Sequence, residues 1–319
     1  MLLLDGNRMD MKTTKAVFGI LTITMALLHA HTLAIFGQAA YQEKEVYMRT
    51  TAPQGIVRDA VFLIERTNRL KGTLEPHASG FYIGFDGMFY GVTARHVVQQ
   101  RGTKWGDWGD LIKPLYIRNR PVQADLPSSL MNREMGVIPY ENLYIVHTNN
   151  TLDVVVFPCL TVTSQTLTNA PDRATAISLN MVQCDDSVVV GEDVNIFGFP
   201  GPYGFDRGEA VVRSGTICYK VNQYAYLLDA NLWPGDSGGM ICSKPYFGVP
   251  KDDFKKYQWH FGGKVLGLYH GWVNPAAFGL PKELHAFQII YSGQAIKEIF
   301  DSAAFKQKHK EVKALIEKH

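Results

Sequence analysis

Short apolar runs separated by turn-forming residues dominate the middle of the chain. Val57-Arg58-Asp59-Ala60-Val61-Phe62-Leu63-Ile64, Gly80-Phe81-Tyr82-Ile83-Gly84-Phe85, Leu115-Tyr116-Ile117, Leu143-Tyr144-Ile145-Val146, Asp153-Val154-Val155-Val156-Phe157, Val188-Val189-Val190 and Tyr226-Leu227-Leu228 are rich in β-branched and aromatic residues. Clusters of Gly, Pro, Asn and Asp punctuate them, as several short strands with turn signals would in a barrel or sandwich. No internal repeat interrupts the pattern.

Both ends depart from it. Lys12 and Lys15 lead into an apolar stretch from Ala16 to Leu28, and with His29 and His31 neutral no charge follows until Glu43. A basic start, an apolar run without a polar face and small residues at Ala30 or Ala39-Ala40 predict a signal peptide over residues 1–40, removed by cleavage. Residues 16–36 are also just long enough to span a bilayer, so a retained membrane anchor is the alternative. The protein is accordingly expected to be secreted or periplasmic, or else membrane-anchored with the rest of the chain exported. At the other end Ile296, Ile299, Phe300, Ala303, Ala304, Val312, Leu315 and Ile316 recur at helical spacing with lysines between them. They predict a C-terminal helix and basic tail over residues 293–319, its lysines on a solvated face.

With 319 residues and 46% hydrophobic content, the chain is able to bury one large core or two modest ones. A formal net charge of +2 gives no general pull toward nucleic acid, and no nucleic-acid motif accompanies it. Cys159, Cys184, Cys218 and Cys242 allow three full pairings in an oxidising compartment; buried free thiols are the other reading. Zinc-like spacing and Cys-x-x-Cys pairs are missing, so neither a metal nor another cofactor is expected.

The candidate chemistry lies in Trp233-Pro234-Gly235-Asp236-Ser237-Gly238-Gly239. Glycines on both sides of a serine permit backbone conformations that a Cβ resists. Such a turn aims the N–H groups of Gly235 and Ser237 at one point, as an oxyanion hole requires. A serine nucleophile needs a base, and the base needs a third group to orient it. Gly91-Val92-Thr93-Ala94-Arg95-His96-Val97-Val98 offers the base, and Asp153, opening an apolar strand, offers the carboxylate. The Gly-x-Ser-x-Gly elbow of α/β-hydrolases also fits the serine segment, but it places acid and histidine downstream of the serine. Here His260, His270 and His285 follow Ser237 with no acid-bearing strand-to-helix unit between.

In the order His96, Asp153, Ser237, with steps of 57 residues from the first to the second and 84 from the second to the third, the chain resembles the chymotrypsin-like (trypsin-fold) serine peptidases. Ser79-Gly80-Phe81-Tyr82-Ile83 before an Asp86-Gly87 turn, and Gly191–Pro200 before Val211–Ile217, look closest to the compact bacterial and HtrA-like branch without a PDZ domain. The resemblance implies an all-β fold of two six-stranded antiparallel barrels, followed by a terminal helix that packs on the second barrel. The expected domains are residues 1–40 as signal or anchor and 41–292 as the peptidase domain, with barrel 1 over about 55–160 and barrel 2 over about 180–292. It implies a serine endopeptidase acting on protein or peptide substrates through an acyl-enzyme intermediate, as a monomer. A catalytically idle scaffold of the same fold is the competing function.

By the same resemblance Asp236 is structural. The trypsin branch pairs its counterpart with a newly released N-terminus, but Gly55-Ile56-Val57-Arg58 departs from Ile-Val-Gly-Gly, so competence without activation cleavage is expected. The base of the substrate pocket aligns with Asn231, which is neutral, and its wall with Gly267-Leu268-Tyr269-His270-Gly271-Trp272. Glutamyl endopeptidases read acidic residues with a histidine two positions after that glycine, where this chain has Tyr269; His270 comes one later. A one-residue step in a strand reverses the face a side chain occupies. His270 therefore either contributes to the pocket or turns toward Asp153.

Overall fold

The computed structural model describes residues 57–318 except 69–70, 105, 113–114, 119–131, 136–143, 163–166, 169–174, 185–187, 202–209, 245, 249–257, 261–262 and 272–286. The expected signal or anchor segment, residues 1–40, and Trp272 of the expected pocket wall lie outside the described residues.

In the first half, β1 (Val61–Thr67), β2 (Leu74–Phe85) and β3 (Met88–Thr93) form an antiparallel meander. The turn between β2 and β3 carries Asp86 and Gly87, both at positive φ (49° and 76°), the signature of a two-residue turn that matches strand twist. β4 (Leu115–Arg118) and β5 (Asn132–Met135) extend the sheet beyond β1, and β6 (Ile145–Val146) and β7 (Val155–Pro158) extend it beyond β3. β8 (Ile177–Ser178) joins β2 in parallel, completing a barrel-like sheet of 8 strands.

The second half closes. β9 (Asp193–Gly198), β10 (Val211–Asn222), β11 (Ala225–Asp229), β12 (Met240–Ser243), β13 (Val265–Gly271) and β14 (Gln288–Ser292) form a barrel in the order β9-β10-β11-β14-β13-β12. Its strand pairs are antiparallel throughout.

Alternation along these strands builds two cores. Val194, Ile196, Leu228, Ile241 and Ile290 fill the barrel. Their neighbours Phe197, Met240, Cys242, Leu268 and Tyr291 face the other way and join the core of the first half, with Phe62, Phe81 and Val92. Successive strand residues point to opposite faces, so a single strand serves both cores. The seam between the halves is where the site lies. All four cysteines carry free thiols, with Cys159 and Cys242 buried.

Helix α1 (Arg95–Val98) is one turn long and follows β3, and α2 (Gly293–Asp301) and α3 (Ala303–Lys318) lie at the C-terminus. Ser302 leaves helical geometry between α2 and α3 and its Oγ accepts from Phe305 N–H at 3.0 Å, capping α3. α2 packs on β13 and β14 of the second barrel, as the resemblance implied, whereas α3 turns onto the first half. Phe305 and His309 stack against Phe85 and Tyr90 of the first half. Tyr90 Oη lies 2.7 Å from His309 Nδ1, and Asp86 Oδ2 accepts from Lys313 Nζ at 2.5 Å. The reason is the break at Ser302, which redirects α3 across the β2–β3 turn. Among the described residues no helix is long and apolar enough to cross a membrane.

Candidate active site

Asp153 organises the first half of the site. It is buried, and it ties down the short helix that presents His96: Oδ1 accepts from the His96 backbone N–H at 2.7 Å, and its carbonyl accepts from Arg95 N–H at 3.2 Å. The same carboxylate reaches the ring, with His96 Nδ1 at 2.6 Å from Oδ2. A proton on Nδ1 leaves Nε2 with a lone pair, the form a general base requires.

Two further donors converge on Oδ2. His270 Nδ1 is 2.5 Å away and Arg101 Nη2 is 2.6 Å away. Arg101 Nη2 also lies 2.9 Å from His270 Nε2. Nη2 is also 3.3 Å from His270 Nδ1, so it faces the ring rather than the Nε2 lone pair, and the short contact with the carboxylate places a His270 proton on Nδ1. Burial by itself would push the Asp153 carboxyl up, yet His96 and His270 hold it well below the usual carboxylate range. Burial pushes the His270 imidazole down, against the pull of Asp153. A neutral His270 beside an ionised Asp153 follows.

His96, Asp153 and His270 offer two nitrogens and one oxygen within 4.8 Å of one another, a set suited to a transition metal. The Arg101 guanidinium stands within hydrogen-bonding distance of all three residues and takes the cation's place.

Ser237 comes from the second half. Gly235 sits at φ +101° and Gly238 at φ +81°. A Cβ at Gly235 would run into the Phe199 carbonyl, and one at Gly238 into Thr93 Oγ1 and the Ser79 carbonyl. The turn is held from both sides of the seam. Gly238 N–H donates to Tyr269 O at 2.7 Å, and Ser79 N–H donates to Ser237 O at 2.8 Å. Ser79 Oγ donates to Gly235 O at 2.7 Å and accepts from Phe199 N–H at 2.9 Å. Among the described residues neither the Gly235 N–H nor the Ser237 N–H has an acceptor. Ser237 Oγ donates to the His270 carbonyl at 3.4 Å, and among the described residues no hydrogen bond joins it to His96. The His270 ring lies 5.4 Å from that of His96, and its carbonyl is the acceptor of Ser237 Oγ.

Asp236 points inward. It is fully buried, pairs with Arg213 of β10, and accepts from Trp233 N–H at 2.8 Å. Burial pushes its carboxyl up, against Trp233 and Arg213. Arg213 also donates to Asn231 O at 3.0 Å, linking this pair to the expected pocket base. Asn231 is exposed, and its Oδ1 accepts from Trp233 Nε1 at 3.2 Å. Tyr269 belongs to the barrel core, and its hydroxyl donates to Gln288 Oε1 at 2.7 Å. Strand alternation then turns His270 out of the barrel and onto Asp153, away from Tyr269.

Three residues join this site that motif reading did not mark. Arg101 belongs to a polar hairpin, Gln99–Arg101 paired with Trp108–Leu111, and a cavity of about 140 Å³ opens there between Arg101, Lys104, Trp108 and Asp153. Arg213 lies on a strand that reads as solvated. Ser79 opens a motif as one small residue among several.

A family model for the trypsin-like peptidase domain matches residues 78–245, more than half of the chain and inclusive of His96, Asp153 and Ser237. Several solved structures are similar. The serine endoprotease from Yersinia pestis shares 15% identity over 80% of this chain and 66% of its own, with a TM-score of 0.46. This chain therefore spans about two thirds of that enzyme's length. A Glu endopeptidase in complex with MPD shares 12% over 81% of this chain and 91% of its own (TM-score 0.45). Protease Anisep from Arthrobacter nicotinovorans shares 16% over 77% and 95% (TM-score 0.45). No curated protein matches the chain by sequence. With the domain match reaching from the first half into the second, the chain belongs to the trypsin-like peptidase domain family.

Proposed function

We propose that the protein is a serine endopeptidase in which Ser237 is the nucleophile, His96 the general base and Asp153 the group that orients and charges the base. His96 Nε2 takes the Ser237 proton as Oγ attacks the scissile carbonyl, and the Gly235 and Ser237 N–H groups receive the developing oxyanion. The imidazolium is stabilised by ionised Asp153 and returns its proton to the leaving amine, giving an acyl-enzyme that water then hydrolyses. The observation that carries this reading is the 2.6 Å contact of His96 Nδ1 with buried Asp153, across the seam from a turn with two unengaged N–H groups. The base–nucleophile bond is expected to close when substrate binds, as is common in such sites.

The Arg213–Asp236 pair supports competence without an activation cleavage, since a side chain of the chain itself supplies the cation that Asp236 needs. The engagement of His270 with Asp153 favours a medium apolar or polar residue before the scissile bond over an acidic one. We further propose export by the N-terminal segment, action as a monomer and kinship with the compact HtrA-like branch.

The test is hydrolysis of a peptide library by the full chain. Cleavage abolished in both Ser237→Ala and His96→Ala supports the proposal. Cleavage that survives Ser237→Ala contradicts Ser237 as the nucleophile, and no cleavage by folded wild-type protein favours the idle scaffold.

A further inference from the structure

We propose that Glu298, on α2, is a positioning residue for the proposed triad: acting through His147, it fixes the loop that delivers Asp153. The inference rests on that triad and extends it to the C-terminal helix.

Residues 147–154 connect β6 to β7 and carry Asp153. Thr148 to Thr151 are exposed, while His147 before them and Leu152 and Asp153 after them are buried. An exposed stretch of backbone is held by hydrogen bonds rather than by packing, and it moves when they are lost. Here such motion reaches the chemistry. Asp153 binds α1 through both Oδ1 and its carbonyl, so a displaced loop also displaces His96.

His147 is the buried anchor of the loop. Its Nδ1 accepts from Asn149 N–H at 3.0 Å, and its Nε2 lies 2.9 Å from Glu298 Oε2. A ring nitrogen that accepts leaves the proton on the other one, so Nε2 donates to Glu298. The order continues along the loop. Asn149 Oδ1 accepts from Thr151 N–H at 3.0 Å and from Thr151 Oγ1 at 2.7 Å, and Asn149 O accepts from Leu152 N–H at 3.0 Å. Asp153 is the next residue. A continuous series of hydrogen bonds therefore runs from α2 to the catalytic carboxylate.

Glu298 is itself held firmly. Gln294 Nε2, one turn earlier on α2, donates to Oε1 at 2.8 Å, and Tyr224 Oη, between β10 and β11, donates to Oε2 at 3.1 Å. Burial pushes the Glu298 carboxyl up, but Gln294, His147 and Tyr224 hold it below the usual range, so it serves all three as an ionised acceptor. Ala295, Ile296, Ile299 and Phe300 seat α2 in the core. Two other bonds reach the middle of the loop, from Trp108 Nε1 to Asn150 O at 2.8 Å and from Tyr291 Oη to Thr151 O at 3.3 Å. They limit the expected loss to a misplacement of Asp153 rather than its release.

The experiment follows fluorophosphonate labelling of the full chain against probe concentration, well below the melting transition of each variant. Glu298→Ala is expected to lower the limiting labelling rate about 10-fold, since small misplacements originating far from the chemistry are costly. The half-saturating probe concentration should stay within about twofold of wild type, as for a change that spares binding. Glu298→Gln keeps an oxygen for the His147 donor and should restore most of the rate. Asn149→Ala, at an exposed position, cuts the same route beyond His147 and should slow labelling even if Glu298→Ala fails to fold. Tyr224→Phe removes another bond to the same carboxylate, which Gln294 still holds, and should label at the wild-type limiting rate. A wild-type limiting rate in folded Glu298→Ala or in Asn149→Ala would overturn the proposal. So would a Gln variant no faster than the Ala variant, or Tyr224→Phe slowed as far as Glu298→Ala. Each of these results leaves the triad standing. Labelling of wild type that is indifferent to Ser237→Ala would instead overturn the triad, and this inference with it.

Discussion

His270 Nδ1 lies 2.5 Å from Asp153 Oδ2, a contact between β13 of the closed barrel and the loop before β7 of the other half. It places a second imidazole behind the carboxylate that His96 uses. The ring is enclosed, stacked edge-on against Tyr291 with centroids 5.1 Å apart. His270→Ala removes a donor to a buried charge, a contact worth about 1.5–3 kcal/mol. Peptide hydrolysis should fall about 10- to 100-fold in kcat/KM, with a lower melting temperature.

Two buried histidines give stability a pH dependence. His270 and His77 are both held below the ordinary histidine range by burial. In the unfolded chain each binds a proton near pH ~6.5, whereas the folded protein keeps both neutral to lower pH. Their contribution is therefore complete above about pH 6.5 and is lost as pH falls below it. Asp153, depressed instead, stabilises the fold above its unfolded value of about 3.9 and gives way only in stronger acid. Melting temperatures measured from pH 7.5 down to 5 should decline, and the decline should be shallower in His270→Phe.

Arg213→Gln tests the inward-facing acid. Asp236 would keep its burial and lose its charge partner. Removing one partner of a buried pair is destabilising by about 3–5 kcal/mol, toward the lower figure here because Arg213 is partly exposed. Denaturant unfolding reads the loss. Because Asp236 holds the turn next to Ser237, hydrolysis should fall as well.

Ser79→Ala examines the seam. One hydroxyl joins Gly235 O to Phe199 N–H, so its removal leaves a buried donor and a part-buried acceptor without this partner. That typically costs about 1–3 kcal/mol each. Unlike a core truncation, it should also slow acylation, since Gly235 supplies half of the proposed oxyanion site. Single-turnover measurements separate the two effects.

Much of the architecture was legible because strand alternation is a local signal. Val194 and Ile196, or Ile241 between Met240 and Cys242, carry their two-faced burial in their spacing. The serine turn was legible for a similar reason: positive φ at Gly235 and Gly238 restricts those positions to glycine. Long-range pairing was not. Nothing near Arg101 or Arg213 distinguishes them from solvated cations, and each finds its acid only when residues distant in the sequence fold together within its own half. The docking of α3 was likewise set by one residue, Ser302, which breaks a run whose apolar spacing continues across it. His270 is an intermediate case. The one-residue offset from Tyr269 showed that the two face opposite ways, but only the folded β13 gives its direction.

The most direct measurement is the mass of the intact protein after reaction with a fluorophosphonate, followed by mapping of the modified peptide. The account predicts one adduct per chain, on Ser237, that disappears in Ser237→Ala and slows sharply in His96→Ala. An adduct on another residue, or none on folded wild-type protein, would contradict it.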